Sequence, residues 1–266
     1  MDYTTRYGLE YNPFIKCERE TLIETREYRE VITRLNYLLQ IKGFGLLTGN
    51  PGLGKTTTIR NWLKSLNQSA YKTIYIPLST LTVMEFYRYM ASELGCEPAY
   101  RKADNFKLIQ SAIERYVYEK RMTPIIVLDE ANYLKNATLN DLKILFNFEI
   151  DSVNRAMILL TGLPQLINTL NLNAHEPLRQ RITMNYSLAP LTQEEAKAYI
   201  LEKLKMAKCH QEVFEKNALE AIVSASNGTP RMIDKIVNAS LLIGNTMNQN
   251  IIVSETVMNA INDIQL

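Results

Sequence analysis

Short apolar runs alternate along the first two thirds of the chain with longer stretches in which apolar residues recur every three or four positions. The short runs predict buried strands, and they lie at 44–48, 73–77, 125–128, 157–160 and 184–188. The longer stretches predict helices, and they lie at 57–66, 82–94, 106–119 and 139–149. Strands that alternate with helices in this way are typical of a parallel sheet covered by helices. The pattern therefore predicts an α/β fold with a parallel five-stranded sheet sandwiched by helices.

The strand pattern stops at Ala189-Pro190, and the rest of the chain has helical spacing only. Helices are predicted at 192–208, 212–224, 230–243 and 254–261. Thr82 and Thr192 each precede a glutamate by three positions, which is the capping-box spacing of a helix start. Residues 101–105 are interpreted as a polar loop. We therefore expect an N-terminal segment over 1–40, an α/β domain over 41–190 and a small all-helical lid domain over 191–266.

Composition indicates a globular protein without a membrane segment. The chain has 266 residues, of which 46% are apolar and 22% charged, which is ordinary for globular domains. No apolar run approaches the roughly 20 residues that span a bilayer, and the polar N-terminus is not a signal peptide. Cys17, Cys96 and Cys209 lack zinc-site spacing and suit packing in a reducing compartment. A net charge of +2 neither requires nor excludes a nucleic-acid partner.

Residues 49–56 read GNPGLGKT, a complete phosphate-binding loop (P-loop) between a predicted strand and a predicted helix. Glycines allow the backbone to turn tightly and present its N–H groups, and the helix N-terminus favours phosphate. Lys55 is expected to reach the β- and γ-phosphates, and the Thr56 hydroxyl to ligate Mg²⁺. The loop residues expected to contact the nucleotide are Asn50, Pro51, Gly52, Leu53, Gly54, Lys55, Thr56 and Thr57. The motif predicts binding of a nucleoside triphosphate.

Two carboxylates, Asp129 and Glu130, directly follow the buried run 125–128. In this position Asp129 is expected to hold the Mg²⁺ shell, and Glu130 to polarise the water that attacks the γ-phosphate. A solvated acidic pair at a strand end is the alternative when such a pair stands alone. The strand–helix series that begins with the P-loop favours the catalytic interpretation, which predicts hydrolysis of ATP to ADP and phosphate.

Four further residues are candidates for the site, and three of them have two interpretations each. Thr161 follows the next buried strand, where its hydroxyl could orient the attacking water or simply end the strand. Arg179 and Arg181 precede the last strand, and either could reach a neighbouring subunit's γ-phosphate as an arginine finger or could be a solvated surface charge. Arg231 lies on the first turn of a predicted helix and could contact the γ-phosphate from the helical domain.

Taken together, these motifs resemble the AAA+ ATPases, and more narrowly the ExeA-like group that includes TniB-, TnsC- and IstB-type helper ATPases of bacterial transposons. The resemblance spans nearly the whole chain, and its motifs lie at 7–9, 12–14, 47–56, 128–131, 160–166, 178–182, 188–191 and 228–231. It implies that Thr161 is the sensor 1 residue and Arg231 the sensor 2 residue. It also implies that Arg179 or Arg181 is the finger, and that Asn12 and Phe14 pack near the adenine. Core burial is the alternative for Phe14.

Function divides within this group. Secretion-type members carry a membrane segment and a cell-wall-binding domain after the ATPase module, whereas many transposon helpers are little more than the module. Since the chain ends soon after its predicted lid helices, the resemblance favours a cytoplasmic, bacterial, ATP-dependent transposition regulator that binds duplex DNA and recruits or activates a transposase. A secretion or envelope-assembly ATPase that acts on protein partners is the second hypothesis. A non-hydrolysing nucleotide switch is the third, and the intact Lys55, Thr56, Asp129 and Glu130 argue against it.

Contact with DNA is expected to come from the AAA+ body, because the N-terminal segment is too short for a separate DNA-binding domain. The candidates are Arg101 and Lys102, with Lys72 and Arg88 as weaker ones, and plain surface charge is the alternative for each. A ring or helical filament of about six or more subunits per turn would repeat one or two weak phosphate contacts many times.

Overall fold

The computed structural model describes residues 2–16, 22–77, 80–149 and 152–264. The chain divides into two compact units, an α/β unit (30–51 and 55–188) and a helical unit (2–29, 52–54 and 189–264). The boundary between Arg29 and Glu30 falls inside the predicted N-terminal segment 1–40, whose expected contribution to the nucleotide pocket stays a prediction. Cys17 lies outside the described residues, while Cys96 and Cys209 are free thiols, the first half-buried and the second buried.

A five-stranded parallel sheet forms the centre of the α/β unit, in the order β2–β3–β4–β1–β5. Its strands are β1 (Gly43–Thr48), β2 (Tyr71–Ile76), β3 (Thr123–Leu128), β4 (Met157–Gly162) and β5 (Ile182–Ser187). Every residue of β1 and β4 is buried, because helices cover both faces of a parallel sheet. The predicted five-stranded parallel sheet is confirmed.

Helices connect the strands and supply the two sides of the core. Up to β5 they are α1 (Tyr3–Arg6), α2 (Arg26–Ile41), α3 (Lys55–Ser65), α4 (Val83–Glu93), α5 (Lys102–Tyr118), α6 (Asn136–Leu145), α7 (Gln165–Leu170) and α8 (Glu176–Arg179). The sequence pattern did not predict α1, α2, α7 or α8. At Thr82 the predicted capping box is confirmed, since this side chain and that of Glu85 each bond the other residue's backbone N–H.

The polar loop predicted over 101–105 is wrong beyond its first residue, because α5 already begins at Lys102. The fully buried side chain of Asn105 explains the difference. Its Oδ1 accepts from the Ala99 N–H at 2.9 Å, and its Nδ2 donates to the carbonyl oxygens of Ala99 and Arg101 at 2.9 and 3.1 Å. These bonds fix the incoming chain, so the helix starts earlier than the apolar spacing indicates.

Helix α6 ends at Leu145, so the helix predicted as far as Glu149 is too long. Phe146 and Phe148 both enter the core, and two residues separated by two positions cannot lie on one face of a helix. Phe148 instead pairs with Val153 in an antiparallel bridge. Glu149 has a left-handed backbone, with φ of +48°.

The helical unit has its own apolar core. Its C-terminal helices are α9 (Gln193–Met206), α10 (Lys216–Ser226), α11 (Pro230–Thr246) and α12 (Ser254–Ile264). Tyr7 and Phe14 from the N-terminal segment are buried in this core. Among the described residues, no helix has the length and apolar character that crossing a membrane requires.

Candidate nucleotide-binding and hydrolysis site

The strand order brings three of the predicted motifs to one edge of the sheet. β3, β4 and β1 are neighbours, and the carboxyl ends of parallel strands lie at the same edge. The acidic pair follows β3, Thr161 is in β4, and the P-loop follows β1. Ligands of open α/β sheets bind at this edge, so the topology itself supports a common site.

The P-loop turns sharply between β1 and α3. Gly52 and Gly54 have φ values of +85° and +95°, a conformation that strains any residue with a Cβ atom. Lys55, the first residue of α3, is buried, and its ammonium donates to the carbonyl oxygens of Gly49 at 2.7 Å and Asn50 at 3.1 Å. The ammonium therefore lies inside the curve of the loop, at the helix N-terminus.

Of the other P-loop residues predicted to contact nucleotide, Leu53 is buried. Asn50, Pro51, Thr56 and Thr57 are exposed. Backbone N–H groups of such a loop bind phosphate whatever the exposure of its side chains, so contact of these residues with nucleotide stays a prediction.

Asp129 links the strand edge to the P-loop. Its buried carboxylate accepts a hydrogen bond from the Thr56 hydroxyl at Oδ2, with a distance of 3.0 Å. Its Oδ1 accepts from the backbone N–H of Glu130 at 2.9 Å. The structure therefore joins the two residues that the sequence predicts to be metal ligands, although they are 73 positions apart.

Tyr75 in β2 is a member of this site that sequence reasoning missed. Its hydroxyl donates to Oδ2 of Asp129, the same oxygen that Thr56 contacts. Burial and the bond to Asp129 raise the pKa of Tyr75 far above its usual value, so the phenol keeps its proton at neutral pH and remains a donor. Its one sequence signal is a tyrosine between the two buried isoleucines Ile74 and Ile76 at the end of the strand.

The donor set fits a magnesium ion. Mg²⁺ prefers oxygen ligands and keeps several of its waters, and Thr56 with Asp129 offers a hydroxyl and a carboxylate oxygen next to the P-loop. A magnesium ion there would neutralise charge on the phosphates of a bound nucleotide. Among the described residues, no other cluster of histidine, cysteine, aspartate or glutamate side chains could hold a metal.

Glu130 has a left-handed backbone, with φ of +51° and ψ of +37°. Such a conformation is uncommon for residues other than glycine, asparagine and aspartate. It persists only where the surrounding structure enforces it, and it is concentrated at functional sites. Its half-buried position and its place beside Asp129 agree with the predicted role in activating water.

Thr161 is fully buried in β4, and within the described part of the chain its hydroxyl has no hydrogen-bond partner. A buried polar atom without a partner is rare and requires an explanation. The buried hydroxyls of Thr48 and Thr138 likewise have no partner among the described residues, so this feature does not separate the two interpretations. The role of Thr161 in orienting water stays a prediction.

Comparison with known proteins agrees with this geometry. Residues 39–170, which contain the P-loop, the acidic pair and Thr161, match the family model of the AAA domain. The chain carries an AAA domain. Family and fold together support ATP hydrolysis by this chain.

Two kinds of curated relative share sequence with this AAA domain protein. The General secretion pathway protein A of Aeromonas hydrophila is 32% identical over 90% of this chain. The ATP-dependent target DNA activator B of Escherichia phage Mu is 25% identical over 48% of this chain. The chain spans 44% of the first protein and 39% of the second. The expected resemblance to the ExeA-like AAA+ group is confirmed at the level of the family, while the two relatives carry different functional names.

Solved structures confirm the predicted AAA+ P-loop fold. Cdc6p from Pyrobaculum aerophilum matches with a TM-score of 0.68 at 18% identity, over 98% of this chain and 71% of that chain. The Drosophila ORC bound to DNA matches with a TM-score of 0.68 at 16% identity, over 99% and 65%. The RuvB Holliday junction branch migration motor of Thermotoga maritima matches with a TM-score of 0.60 at 20% identity, over 91% and 70%.

The two candidate finger arginines of this AAA domain differ in how they are held. Arg179 ends α8, is exposed, and donates to the carbonyl oxygen of Asn171 at 3.3 Å. Arg181 is half-buried and donates to the carbonyl oxygen of Lys143 at 3.0 Å. Exposure makes Arg179 the easier of the two to extend toward a neighbouring subunit, and both remain candidates.

A buried histidine anchors the segment that carries Arg179. His175 precedes α8, and its Nδ1 and Nε2 lie 2.9 and 3.1 Å from the side-chain oxygens of Asn140 and Asn136 on α6. Burial lowers the pKa of His175, so the ring is neutral at pH 7. A neutral ring donates from one nitrogen and accepts at the other, which requires one of the two amides to present its NH₂ group.

Arg231 lies in the helical unit, on the first turn of α11. Its backbone N–H donates to the carbonyl oxygen of Gly52 at 3.3 Å, and Gly52 belongs to the same compact unit. A Cβ atom at Gly52 would approach the Arg231 Cβ to 2.9 Å. The start of α11 therefore packs directly against Gly52 within the helical unit, and the sensor 2 role of Arg231 stays a prediction.

Asn12 and Phe14 are both buried in the helical unit. The Asn12 amide donates to the side-chain oxygen of Asn238 at 2.7 Å and accepts from the Phe14 N–H at 2.9 Å. The Lys203 ammonium lies 5.4 Å from the centre of the Phe14 ring, within cation–π range. Core burial of Phe14, the alternative from the sequence, is thus present, and contact with adenine stays a prediction.

The two predicted DNA contacts differ in their surroundings. Arg101 is exposed at the N-cap of α5. Lys102 forms an ion pair with Asp141 at 2.5 Å and lies 5.3 Å from the Tyr87 ring centre. Since Lys102 already has these partners, Arg101 is the better candidate for a phosphate contact.

Proposed function

We propose that this chain is a magnesium-dependent ATPase that works as an oligomer. One observation carries the proposal, the hydrogen bond between Thr56 and Asp129. It joins Thr56 of the P-loop to Asp129 of the acidic pair, and Glu130 directly follows Asp129 in the chain.

Each residue of the site has a role that its geometry supports. Lys55 and the N–H groups of the P-loop bind and orient the phosphates. Thr56 and Asp129 would supply oxygen atoms for Mg²⁺, and Tyr75 holds the Asp129 carboxylate in place. Glu130 accepts a proton from the attacking water as the water oxygen bonds to the γ-phosphorus. The bond between the γ-phosphorus and the bridging oxygen breaks in the same step, and ADP leaves with that oxygen. Thr161 orients the same water from β4.

The site is proposed to be completed by an arginine from a neighbouring subunit. We expect Arg179→Ala or Arg181→Ala to lower ATP turnover without a comparable loss of ATP affinity, because an arginine finger acts on the transition state in trans. Mixing the inactive arginine variant with Glu130→Gln protein should restore part of the activity. A mixed interface then pairs an intact Glu130 with an intact arginine. Turnover of each protein and of the mixtures measures this.

Arg115 is an exposed arginine of α5. Arg115→Ala is therefore the matched control, and it should leave turnover unchanged. If neither arginine variant shows complementation with Glu130→Gln, the finger is another residue or the site is complete within one subunit. Because Arg181 also bonds to the Lys143 carbonyl, thermal unfolding of Arg181→Ala should be recorded alongside.

We also propose a biological role for the ATPase: its subunits assemble on duplex DNA and recruit or activate a transposase there. Two observations support this proposal. The relative from phage Mu is named a target DNA activator, and Arg101 is exposed at the start of α5. With a net charge of +2, one subunit has little attraction for phosphate, so tight binding requires an oligomer that repeats its basic contacts.

We expect duplex binding to require ATP or a non-hydrolysable analogue, to show little base preference and to weaken steeply with salt, because phosphate contacts dominate it. Arg101→Glu should reduce this binding strongly and leave nucleotide affinity intact. Fluorescence anisotropy of a labelled duplex, with analogue and without nucleotide across a salt series, measures both effects.

Lys205→Glu makes the same change of charge at an exposed site on α9 and should bind DNA like the wild type. The double variant Arg101→Glu with Lys102→Glu tests both predicted DNA contacts. Because Lys102→Glu would put a second carboxylate beside Asp141, the folding of this variant must be checked. Binding that survives Arg101→Glu would move the contact to another surface. No binding in the analogue state at low salt would refute the DNA proposal.

The second candidate is a secretion or envelope-assembly ATPase that acts on protein partners. The 32% identity over 90% of the chain with a general secretion pathway protein favours it. This candidate predicts ATPase activity that does not respond to duplex DNA. Steady-state turnover with and without DNA therefore separates the two candidates in one measurement.

A further inference from the structure

A short turn joins the acidic pair to the end of the neighbouring strand β4. Directly after Glu130, residues Ala131–Tyr133 form one turn of 3₁₀ helix. In the middle of this turn, the side-chain oxygen of Asn132 accepts a hydrogen bond from the backbone N–H of Leu163 at 2.9 Å. Leu163 is two positions after Thr161, and Asn132 is two positions after Glu130. The bond therefore links the chain segment next to Glu130 to the segment next to Thr161.

Gly162 shows how closely the two segments pack. A Cβ atom there would overlap the Asn132 side-chain oxygen and would lie 3.2 Å from the Asn132 backbone nitrogen. The φ of Gly162 lies outside the left-handed region, so an alanine would suit the backbone. Contact with Asn132 is therefore the reason for a glycine at this position.

The contact explains how the unusual backbone of Glu130 is maintained. A left-handed glutamate persists only where its surroundings over-determine it, and the turn that follows it is held by the Asn132–Leu163 bond. The Nδ2 atom of Asn132 is buried and has no hydrogen-bond partner among the described residues. The hydrogen bond accepted by Oδ1 is therefore the one contribution of Asn132 that an apolar side chain could not make.

We propose that Asn132 is a positioning residue for ATP hydrolysis, which sets Glu130 relative to Thr161 through the end of β4. This inference rests on the proposed hydrolytic role of Glu130. Both residues are expected to act on one water molecule, and small errors in placement are costly for such a step. A displacement of about 1 Å can slow a reaction about a hundredfold.

Asn132→Leu keeps the branching and the number of heavy atoms of the side chain and removes the acceptor. We expect it to slow single-turnover cleavage of ATP about tenfold or more. ATP affinity should change less than about twofold, because Asn132 lies outside the P-loop. A factor of two corresponds to about 0.4 kcal/mol. Asn173→Leu, an exposed asparagine of the same unit, is the matched control and should cleave ATP at the wild-type rate.

A double-mutant cycle tests the contact itself. Gly162→Ala should slow cleavage in the wild-type background, since the new methyl group displaces Asn132. In the Asn132→Ala background its further effect should be much smaller, because the overlap with the Asn132 side-chain oxygen is gone and only the tighter contacts with the backbone nitrogens of Asn132 and Ala131 remain. Thermal unfolding and nucleotide affinity, measured on the same samples, show whether the rate loss is separate from unfolding. The cycle also tests the inference if Asn132→Leu does not fold, because it does not use that variant.

Three outcomes would overturn the inference. An unchanged cleavage rate in Asn132→Leu refutes it, as does additivity of Gly162→Ala and Asn132→Ala. Parallel losses of rate, nucleotide affinity and thermal stability would show a purely structural role. Glu130→Gln separates these results from failure of the proposed function, because wild-type cleavage in that variant removes Glu130 from the mechanism whatever Asn132 does.

Discussion

Glu130→Gln is expected to lower ATP turnover by about two orders of magnitude or more, the contribution of a general base. The substitution keeps the size of the side chain and the bonds of Asp129, so binding of ATP and Mg²⁺ should be retained. Phosphate release measures the turnover, and titration with a fluorescent ATP analogue, with and without Mg²⁺, measures the binding.

Glu119→Gln, at an exposed position just after α5, makes the same chemical change away from the sheet edge and should not alter turnover. Wild-type turnover in Glu130→Gln would remove this residue from the mechanism. Loss of nucleotide binding in the same variant would mean that Glu130 supports the P-loop and does not activate water.

Lys55→Ala is expected to weaken nucleotide binding itself. An ammonium that donates to a phosphate contributes about 1.5–3 kcal/mol, so affinity should fall by about ten- to a hundredfold. Turnover at saturating ATP should fall as well, because the lysine also stabilises charge on the transferred phosphoryl group. Isothermal titration with the non-hydrolysable analogue measures the affinity.

Lys55 also bonds to the carbonyl oxygens of Gly49 and Asn50, so the substitution could loosen the loop. Thermal unfolding of the nucleotide-free variant separates this effect from the loss of a phosphate contact. Lys64→Ala, in the last turn of α3, is the comparison within the same helix. Equal affinity of Lys55→Ala and wild type for the analogue would contradict the P-loop assignment.

Local signals in the sequence predicted most of the secondary structure. Strand patterns located all five strands, and in β1 and β4, which are buried on both faces, the pattern is a continuous apolar run. Both capping boxes are present, and at the second of them Thr192 and Glu195 exchange side-chain-to-backbone bonds. These features depend on residues within one turn of each other, which is why the sequence alone predicts them.

Errors arose where a side chain made a contact outside its own element. Asn105 draws the start of α5 forward by bonding to the preceding loop. Phe146 and Phe148 end α6 early because both enter the core. Apolar spacing reports the average face of a helix and carries no information about such individual contacts.

The sequence by itself indicated which residues are predicted to bind phosphate and which acids follow a buried strand, because the P-loop and the acidic pair have their own local patterns. Only the tertiary structure decided which elements share the site. The order β3–β4–β1 brings the acidic pair and Thr161 to the strand that leads into the P-loop. Tyr75 and Asn132 join the site through partners 54 and 31 positions away. No periodicity along the chain encodes such pairs, since they depend on which strands become neighbours when the sheet forms.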